Sequence, residues 1–162
     1  MDKNNGKLPI FGVGPIYVLT CLLLTVLGLC INYCGFINIG EIHSLKSMMY
    51  FVGIIFIIIG LVLWIISVLI QKITEDIKKG ILVTTGVYAI VRNPIYSAFI
   101  FIFSGALFIA SNWLLLFLPF VFWLYLTILM KLTEEKWLFD KFGNEYIIYC
   151  KKVNRVIPWF RK

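Results

Sequence analysis

Four long apolar stretches without a charged side chain constrain this chain more than any other feature of its sequence. They cover residues 15–36, 48–70, 95–111 and 113–130, and none contains Asp, Glu, Lys, Arg or His. Backbone polar groups in a bilayer must find their partners within the segment, so a run of about 20 apolar residues is expected to form a transmembrane helix. We therefore predict an all-α integral membrane protein with about four transmembrane helices, forming a single membrane domain over residues 1–162.

The composition of the whole chain agrees with this class. Of the 162 residues, 61% are hydrophobic, and the mean hydropathy is +0.95. Both values lie outside the usual range of soluble domains. The first apolar stretch is too long for the core of a cleavable signal peptide, so we expect it to be retained as a helix.

The basic residues predict which side of the membrane each loop faces, because cytoplasmic loops are enriched in Lys and Arg. With four spans and a cytoplasmic N-terminus, every Lys and Arg except Lys46 falls on the cytoplasmic side. We predict that both termini are cytoplasmic. The net charge of +7 lies beside the spans, which indicates contact with the lipid bilayer and not with nucleic acid.

The cysteines and the single histidine do not indicate a metal centre. His43 falls in the outer loop, and no cluster of metal ligands accompanies it. We interpret the four cysteines, which include no Cys-x-x-Cys pair, as packing residues: Cys21, Cys30, Cys34 and Cys150. A disulfide-exchange enzyme that uses Cys30 and Cys34 stays an alternative, because their spacing allows contact on a helix.

Two polar stretches are long enough to build a functional site, and both are predicted to be cytoplasmic. Residues 71–94 join the second and third spans, where Gly80 and Gly86 are expected to interrupt any continuous helix and leave a broken interfacial segment. Residues 131–162 follow the fourth span. We expect a site where these two stretches meet at the membrane surface.

The second polar stretch has the pattern of two successive helices. Oppositely charged residues recur four positions apart, as in Lys131 and Glu135, and this predicts that the fourth span continues as a helix into the polar stretch. Gly143 is the expected end of that helix, and Asn144 is the expected N-cap of the next one. We predict that Pro158 ends the last helix.

Residues just before the third span are suited either to capping a helix or to binding an anion. Asn93 is a favoured N-cap and Pro94 a favoured first helical residue, so the third span is predicted to begin there. The free N–H groups of such a helix end also attract a carboxylate or a phosphate. Arg92 is either a basic residue at the headgroup level or a binding group for a carboxylate.

The aromatic and acidic residues nearby also have two interpretations. Tyr88 and Tyr96 are either membrane anchors or aromatic faces for a cationic or planar ligand. Glu134 and Glu135 are either a solvated acidic patch or a ligand-binding pair. Neighbours on a helix point about 100° apart, so we expect one glutamate to bind the ligand while the other braces it.

Two motifs in these stretches resemble those of the isoprenylcysteine carboxyl methyltransferase family and its phospholipid N-methyltransferase relatives. The first, LVTTGVYAIVRNPIYSA at residues 82–98, is similar to the family's G-x-Y-x-x-x-R-H-P-x-Y segment. The second, EEKWLFDKFGNEYIIYCKKVNRVIP at residues 134–158, is similar to its E-E-x-x-L-x-x-x-F-G-x-x-Y-x-x-Y run. The resemblance covers residues 79–160, and the first two spans match only in being hydrophobic.

Two positions depart from the family pattern. Asn93 stands where the carboxyl methyltransferases usually have His, whereas the phospholipid branch is known with Asn-Pro-x-Tyr at this point. Ala98 replaces a frequent Gly and, as another small residue, still allows close approach to a cofactor. The first departure bears on the choice of substrate.

The resemblance implies that the chain binds S-adenosyl-L-methionine in two cytoplasmic segments, residues 79–98 and 131–160, and transfers its methyl group. Arg92 is then the expected binding group for a carboxylate or phosphate of the acceptor, and Glu134 the expected base for an amine acceptor. Direct displacement at the sulfonium methyl needs no metal. The cofactor-binding residues that the motifs imply are Gly86, Tyr88, Asn93, Tyr96, Glu134, Glu135, Tyr146 and Tyr149.

The implied acceptor is a lipid-like or small amphipathic molecule that reaches the site from the cytoplasmic membrane face. We predict a carboxylate of the prenylcysteine type, with a phospholipid-type amine or a thiol as alternatives. The alternative that is not an enzyme is a small four-helix transporter. Transport sites usually place ionisable residues inside the membrane, and the four apolar stretches contain none.

Overall fold

A computed structural model describes residues 12–69 and 81–158 of the chain. Gly80 lies outside these ranges. So do residue 70, the predicted end of the second span, and residues 79 and 160, which are limits of the two predicted cofactor-binding segments. Within them there is no β-strand, only two isolated β-bridges. The helices are α1 Gly14–Tyr33, α2 Lys46–Leu69, α3 Pro94–Ile109, α4 Leu118–Leu132, α5 Glu134–Phe142 and α6 Asn144–Lys152. The all-α prediction is confirmed.

The apolar helices match the predicted membrane stretches in number and order. Among the described residues, three helical stretches are long and apolar enough to cross a membrane: Gly14–Tyr33, Lys46–Leu69 and Leu115–Phe142. The fourth apolar helix, α3, has 16 residues. At 1.5 Å per residue it is about 24 Å long, somewhat shorter than a hydrocarbon core of about 30 Å. The chain is an integral membrane protein.

Small residues allow α2 and α3 to pack closely in antiparallel orientation. A Cβ atom added at Gly53 would lie 2.6 Å from the carbonyl oxygen of Gly105, and one added at Gly60 would lie 2.7 Å from that of Ala98. On each helix the two small residues are two turns apart, so they share one face. Backbone approach over small residues is a common way for membrane helices to associate.

The core between α1, α3 and α4 is built around aromatic rings. Tyr17 is fully buried, and its ring meets that of Tyr96 edge-on with the centroids 5.7 Å apart. The Tyr17 hydroxyl donates to the carbonyl oxygen of Phe122 at 3.3 Å. These contacts fix the start of α1 against the start of α3, where the predicted site lies.

A buried asparagine joins the loops at the other end of the bundle through hydrogen bonds. Asn112 is fully buried, and its Nδ2 donates to Asn32 Oδ1 at 2.7 Å and to the Ile37 carbonyl oxygen at 2.9 Å. Its Oδ1 accepts from the Leu114 N–H at 3.0 Å. Gly40 passes so close that a Cβ there would lie 2.1 Å from this oxygen. The loops at that end are therefore held by hydrogen bonds that leave little spare volume.

The helix predicted to prolong the fourth span is present but interrupted, and one predicted helix boundary near it is wrong. The helical stretch Leu115–Phe142 continues into the polar stretch, where Thr133, at φ −126° and ψ −89°, divides it into α4 and α5. Gly143, at φ 53°, ends α5 as predicted. It is also the N-cap of α6, a position that we predicted for Asn144. One glycine with a positive φ thus makes the turn between the two helices.

The end of the last helix also differs from the prediction. We expected Pro158 to end it, but α6 ends at Lys152. Val153 is extended, and Asn154 forms a parallel bridge with Val91. The backbone leaves the helix early because its hydrogen bonds go to the segment that precedes α3.

Candidate active site

The two polar stretches meet at one end of the bundle. Tyr96, in the first turn of α3, donates its hydroxyl hydrogen to Oε1 of Glu134 at 2.6 Å. Arg92, just before α3, lies with its Nη1 3.1 Å from Oε1 of Glu135. Both glutamates at the start of α5 therefore contact the segment that leads into α3. The prediction that the two stretches come together is confirmed.

Glu134 accepts a second hydrogen bond from the first residues of the described chain. The Val13 N–H donates to the same Oε1 atom at 2.9 Å. Gly12, at φ 51°, passes so close that a Cβ there would lie 2.0 Å from this oxygen. The backbone before α1 is thus part of the surroundings of the Glu134 carboxylate, a contribution that we did not predict.

Glu135 lies between two arginines. Arg155 donates from Nε to Oε1 at 2.6 Å and from Nη2 to Oε2 at 2.8 Å, while Arg92 approaches Oε1. Glu135 lies on α5, beyond the apolar part of α4. Burial raises its pKa, but the hydrogen bonds from Arg155 and the charges of Arg92 and Arg155 outweigh this effect and hold the pKa below its usual value. The carboxylate is therefore an anion with protein partners of its own.

Arg92 is almost entirely enclosed by protein. Its side chain is 9% exposed, and Nη1 also donates to the Tyr146 hydroxyl at 3.3 Å and to Cys150 Sγ at 2.6 Å. The guanidinium carbon lies 5.9 Å from the centre of the Tyr146 ring. Its Nε is buried and has no hydrogen-bond partner among the described residues. Within residues 12–69 and 81–158, the Nε donor of Arg92 thus has no acceptor.

The tyrosines of α6 cover the segment before α3. Tyr146 and Tyr149 are both buried, and the Tyr149 hydroxyl donates to the Tyr88 carbonyl oxygen at 2.6 Å. Burial raises the pKa of both phenols, so both stay protonated at neutral pH. Burial also raises the pKa of Tyr88 to about 12. Gly86, at φ 62°, begins the short 3-10 turn that carries Tyr88.

Asn93 has a different role from the one its position suggests. It is the N-cap of α3, as predicted, but its side chain forms no capping hydrogen bond. Its Nδ2 and its backbone N–H instead donate to the carbonyl oxygen of Arg155, at 3.1 and 3.2 Å. The Arg92 N–H donates to the Asn154 carbonyl oxygen at 2.8 Å. The residues after α6 are therefore bound along the start of α3.

The structure gathers the predicted site residues at this end of the bundle and adds three others. Val13, Cys150 and Arg155 contact them directly. Arg155 lies within the second motif, but we had interpreted it only as a basic residue in a cytoplasmic loop. Cys150 was interpreted as a packing residue, and a backbone N–H such as that of Val13 leaves no mark in a sequence.

The fold and the site define an all-α integral membrane protein with a polar site, rich in carboxylate, guanidinium and phenol groups, at one end of its helical bundle. The model of the phospholipid methyltransferase family matches residues 48–145, and the chain belongs to this family. Arg92, Tyr96, Glu134 and Glu135 lie within the matched region. Val13, Tyr149 and Arg155 lie outside it.

The chain is also similar to a curated relative, the Methanethiol S-methyltransferase 1 of Bradyrhizobium diazoefficiens. The two sequences are 36% identical over 74 residues, which cover 46% of this chain and 25% of the relative. The matched part of the chain thus spans about a quarter of the relative's length. No solved structure matches the chain.

Proposed function

We propose that the chain is an S-adenosyl-L-methionine-dependent methyltransferase with its active site at the cytoplasmic membrane surface. The observation that carries this proposal is the pair of contacts Tyr96–Glu134 and Arg92–Glu135, because they join the two family motifs into one polar site. Membership of the phospholipid methyltransferase family and the likeness to a methyltransferase support the activity. Both findings favour this function over a transporter or a disulfide-exchange enzyme.

The groups at the site suit the charges of the methyl donor, which carries an ammonium, a carboxylate and a sulfonium group. Glu134 accepts hydrogen bonds only from neutral donors among the described residues, Tyr96 and Val13, and would hold the ammonium. The guanidinium of Arg92, whose Nε has no hydrogen-bond partner among the described residues, would hold the carboxylate. The donor supplies an electrophilic methyl group, and the chain supplies alignment and exclusion of water. Gly86, Tyr88, Asn93, Glu135, Tyr146 and Tyr149 belong to the same proposed pocket.

For the acceptor we propose a thiol on a small or lipid-like molecule. Arg92 was the expected anchor for a carboxylate or phosphate of the acceptor, but its Nη1 already contacts Glu135, Tyr146 and Cys150 within the protein. A thiol with a pKa near 8.5 is partly ionised at neutral pH and needs neither a cationic anchor nor a strong base. The similar protein of Bradyrhizobium diazoefficiens is named a methanethiol S-methyltransferase, which supports the same choice. Glu134 is required as a base only for the amine alternative.

The test uses the full chain in lipid nanodiscs. Isothermal titration should show binding of S-adenosyl-L-methionine and of its demethylated product. Glu134→Gln should weaken this binding, whereas the matched control Asp140→Asn, an exposed carboxylate on the same helix, should not. Folded protein without binding would refute the proposed function.

A second measurement identifies the acceptor. Radiolabelled methyl transfer should be compared for an alkyl thiol, a prenylcysteine analogue and phosphatidylethanolamine. We expect label in the thiol. Label in the prenylcysteine carboxylate or in the phospholipid amine alone would overturn the choice of a thiol while leaving the methyltransferase assignment intact.

A further inference from the structure

The guanidinium group of Arg155 has one edge that the protein does not use. Its Nε and Nη2 donate to the two oxygens of Glu135, at 2.6 and 2.8 Å, and these bonds occupy the side edge of the group. The end edge, which carries one N–H of Nη1 and one of Nη2, is left over. Among the described residues Nη1 has no hydrogen-bond partner, and it is not buried. The side chain is 19% exposed, so the end edge is open to a ligand.

Arg155 is held in a fixed orientation, unlike a basic residue in a free surface loop. Two parallel hydrogen bonds to one carboxylate fix the plane of a guanidinium group. The carboxylate of Glu135 is itself held by Arg92, whose Nη1 lies 3.1 Å from its Oε1. The carbonyl oxygen of Arg155 accepts two hydrogen bonds from Asn93. A donor pair that is already oriented loses little conformational entropy when a ligand binds.

The two arginines of the site differ in what they offer to a ligand. Arg92 is 9% exposed, and its Nη1 already contacts Glu135, Tyr146 and Cys150. It therefore contributes positive charge from within the protein. Arg155 contributes N–H groups that a ligand can reach.

An oxyanion with two oxygens is the ligand group that suits the end edge of Arg155, because its two N–H groups match a carboxylate or a phosphate. At a membrane surface, lipid headgroups supply phosphate, and the methyl donor supplies a carboxylate. Glu134, next to the partner of Arg155 on α5, favours the donor. Its Oε1 accepts hydrogen bonds from Tyr96 and Val13, whereas its Oε2 has no partner among the described residues and is not buried. An open carboxylate oxygen and an open guanidinium edge suit the ammonium and carboxylate that the donor carries on one carbon atom.

We propose that the end edge of Arg155 binds the carboxylate of the methyl donor while Glu134 binds its ammonium. The inference rests on the proposed function. Arg155 is then a ligand-binding residue outside residues 48–145, the region that the family model matches. Glu135 has the role of holding Arg155 in place, and Arg92 adds its charge from within the protein.

The test compares two ligands that differ only in the carboxylate. The full chain in nanodiscs is titrated with S-adenosyl-L-homocysteine and with its decarboxylated analogue, which keeps the ammonium. The unaltered chain should bind S-adenosyl-L-homocysteine about tenfold or more tightly than the analogue, because hydrogen bonds between charged groups are strong. Arg155→Ala should remove this difference by weakening the binding of S-adenosyl-L-homocysteine alone. Arg155→Lys, which keeps the charge but lacks the two-donor edge, should keep part of the difference.

The comparison of ligands separates a direct contact from a general loss of structure. Lys136→Ala, at an exposed position on α5, also removes a positive charge and should keep the full difference between the ligands. Equal weakening of both ligands in Arg155→Ala would overturn the binding role. Unchanged binding of both ligands, with less anionic phospholipid retained by Arg155→Ala, would overturn it in favour of a lipid phosphate. Absence of S-adenosyl-L-homocysteine binding in the unaltered chain would overturn the proposed function itself.

Discussion

The phenol of Tyr96 and the carboxylate of Glu134 are joined by a hydrogen bond of 2.6 Å, although one begins α3 and the other begins α5. The whole of α4 separates the two residues in the chain. Their contact therefore requires that α3 lead away from this end of the bundle and α4 lead back to it. The same carboxylate oxygen also receives the Val13 N–H, so three parts of the chain meet at one atom.

Replacing Tyr96 with Phe should weaken binding of S-adenosyl-L-homocysteine by about tenfold, the effect of losing one hydrogen bond to a carboxylate. The ring that packs against Tyr17 is kept, so the fold should not change. Isothermal titration measures the effect. Tyr125→Phe is the matched control, because Tyr125 contacts the Tyr17 ring from α4. Equal affinities of the two variants would show that the Tyr96 hydroxyl does not shape the site.

Gly12→Ala should disturb the site from the backbone segment before α1, which lies against Glu134. The added methyl group would lie 2.0 Å from Glu134 Oε1, and the backbone has a positive φ of 51°. We expect a loss of about 1–3 kcal/mol of stability together with weaker ligand binding, because Val13 is pushed off the carboxylate.

A second glycine separates the two causes of this effect. Gly143 has nearly the same φ, 53°, but no atom lies within 4 Å of its added Cβ. Gly143→Ala should lower the thermal unfolding midpoint without changing the affinity. If Gly12→Ala behaves in the same way, its contact with Glu134 has no part in binding.

Much of the fold could be predicted because the strongest signals are local. Each charge-free stretch coincides with most of one apolar helix, and the Gly143 turn follows from the conformational freedom of glycine. The small residues that bring α2 and α3 together are visible in the sequence as Gly53 and Gly60, but nothing local identifies their partners on α3. Contacts between distant helices depend on the orientation of each helix, which hydrophobicity alone does not set.

The candidate site was predicted from motifs, and its unpredicted parts have physical reasons. Val13 contributes only a backbone N–H, and every residue other than proline carries one. Arg155 is one basic residue among many in the segments that we predict to be cytoplasmic, where positive charge is expected in any case. Asn93 is the N-cap residue that its type predicts, but its side-chain amide donates to the carbonyl oxygen of Arg155, a partner distant in the chain that no local pattern shows.

The close packing of α2 against α3 should make Gly60 sensitive to a single added methyl group. The Cβ of Gly60→Ala would lie 2.7 Å from the backbone oxygen of Ala98, which cannot move alone, and we expect a loss of about 1–3 kcal/mol. Gly28→Ala is the control, because its Cβ meets only the side-chain ends of Leu115 and Leu118, at 3.1 and 3.3 Å. Thermal unfolding in nanodiscs should show a clear difference between the two variants.

Asn112→Ala should lower stability without affecting ligand binding, because Asn112 lies at the end of the bundle away from the site. The substitution leaves the Leu114 N–H and the Ile37 carbonyl group without their partner, which costs about 1–3 kcal/mol. Asn144→Ala, at an exposed residue that is not the N-cap of α6, should be neutral. An altered affinity in Asn112→Ala would mean that the two ends of the bundle are coupled.

Acidification should reveal the contribution of Glu135 to stability. Its pKa is lower in the folded protein than the ordinary value of about 4.3, so folding favours the charged form. The stabilisation is complete above the ordinary pKa and is lost as the pH falls through the lower folded value. Thermal unfolding midpoints should be measured from pH 7 to about pH 3, and they should fall more steeply for the unaltered chain than for Glu135→Gln. The variant lacks the titrating group and begins from a lower midpoint at pH 7.

Glu145→Gln, at an exposed position on α6, is the control and should keep the steep fall of the unaltered chain. Equal acid slopes with and without Glu135 would mean that its two arginine partners do not stabilise the fold.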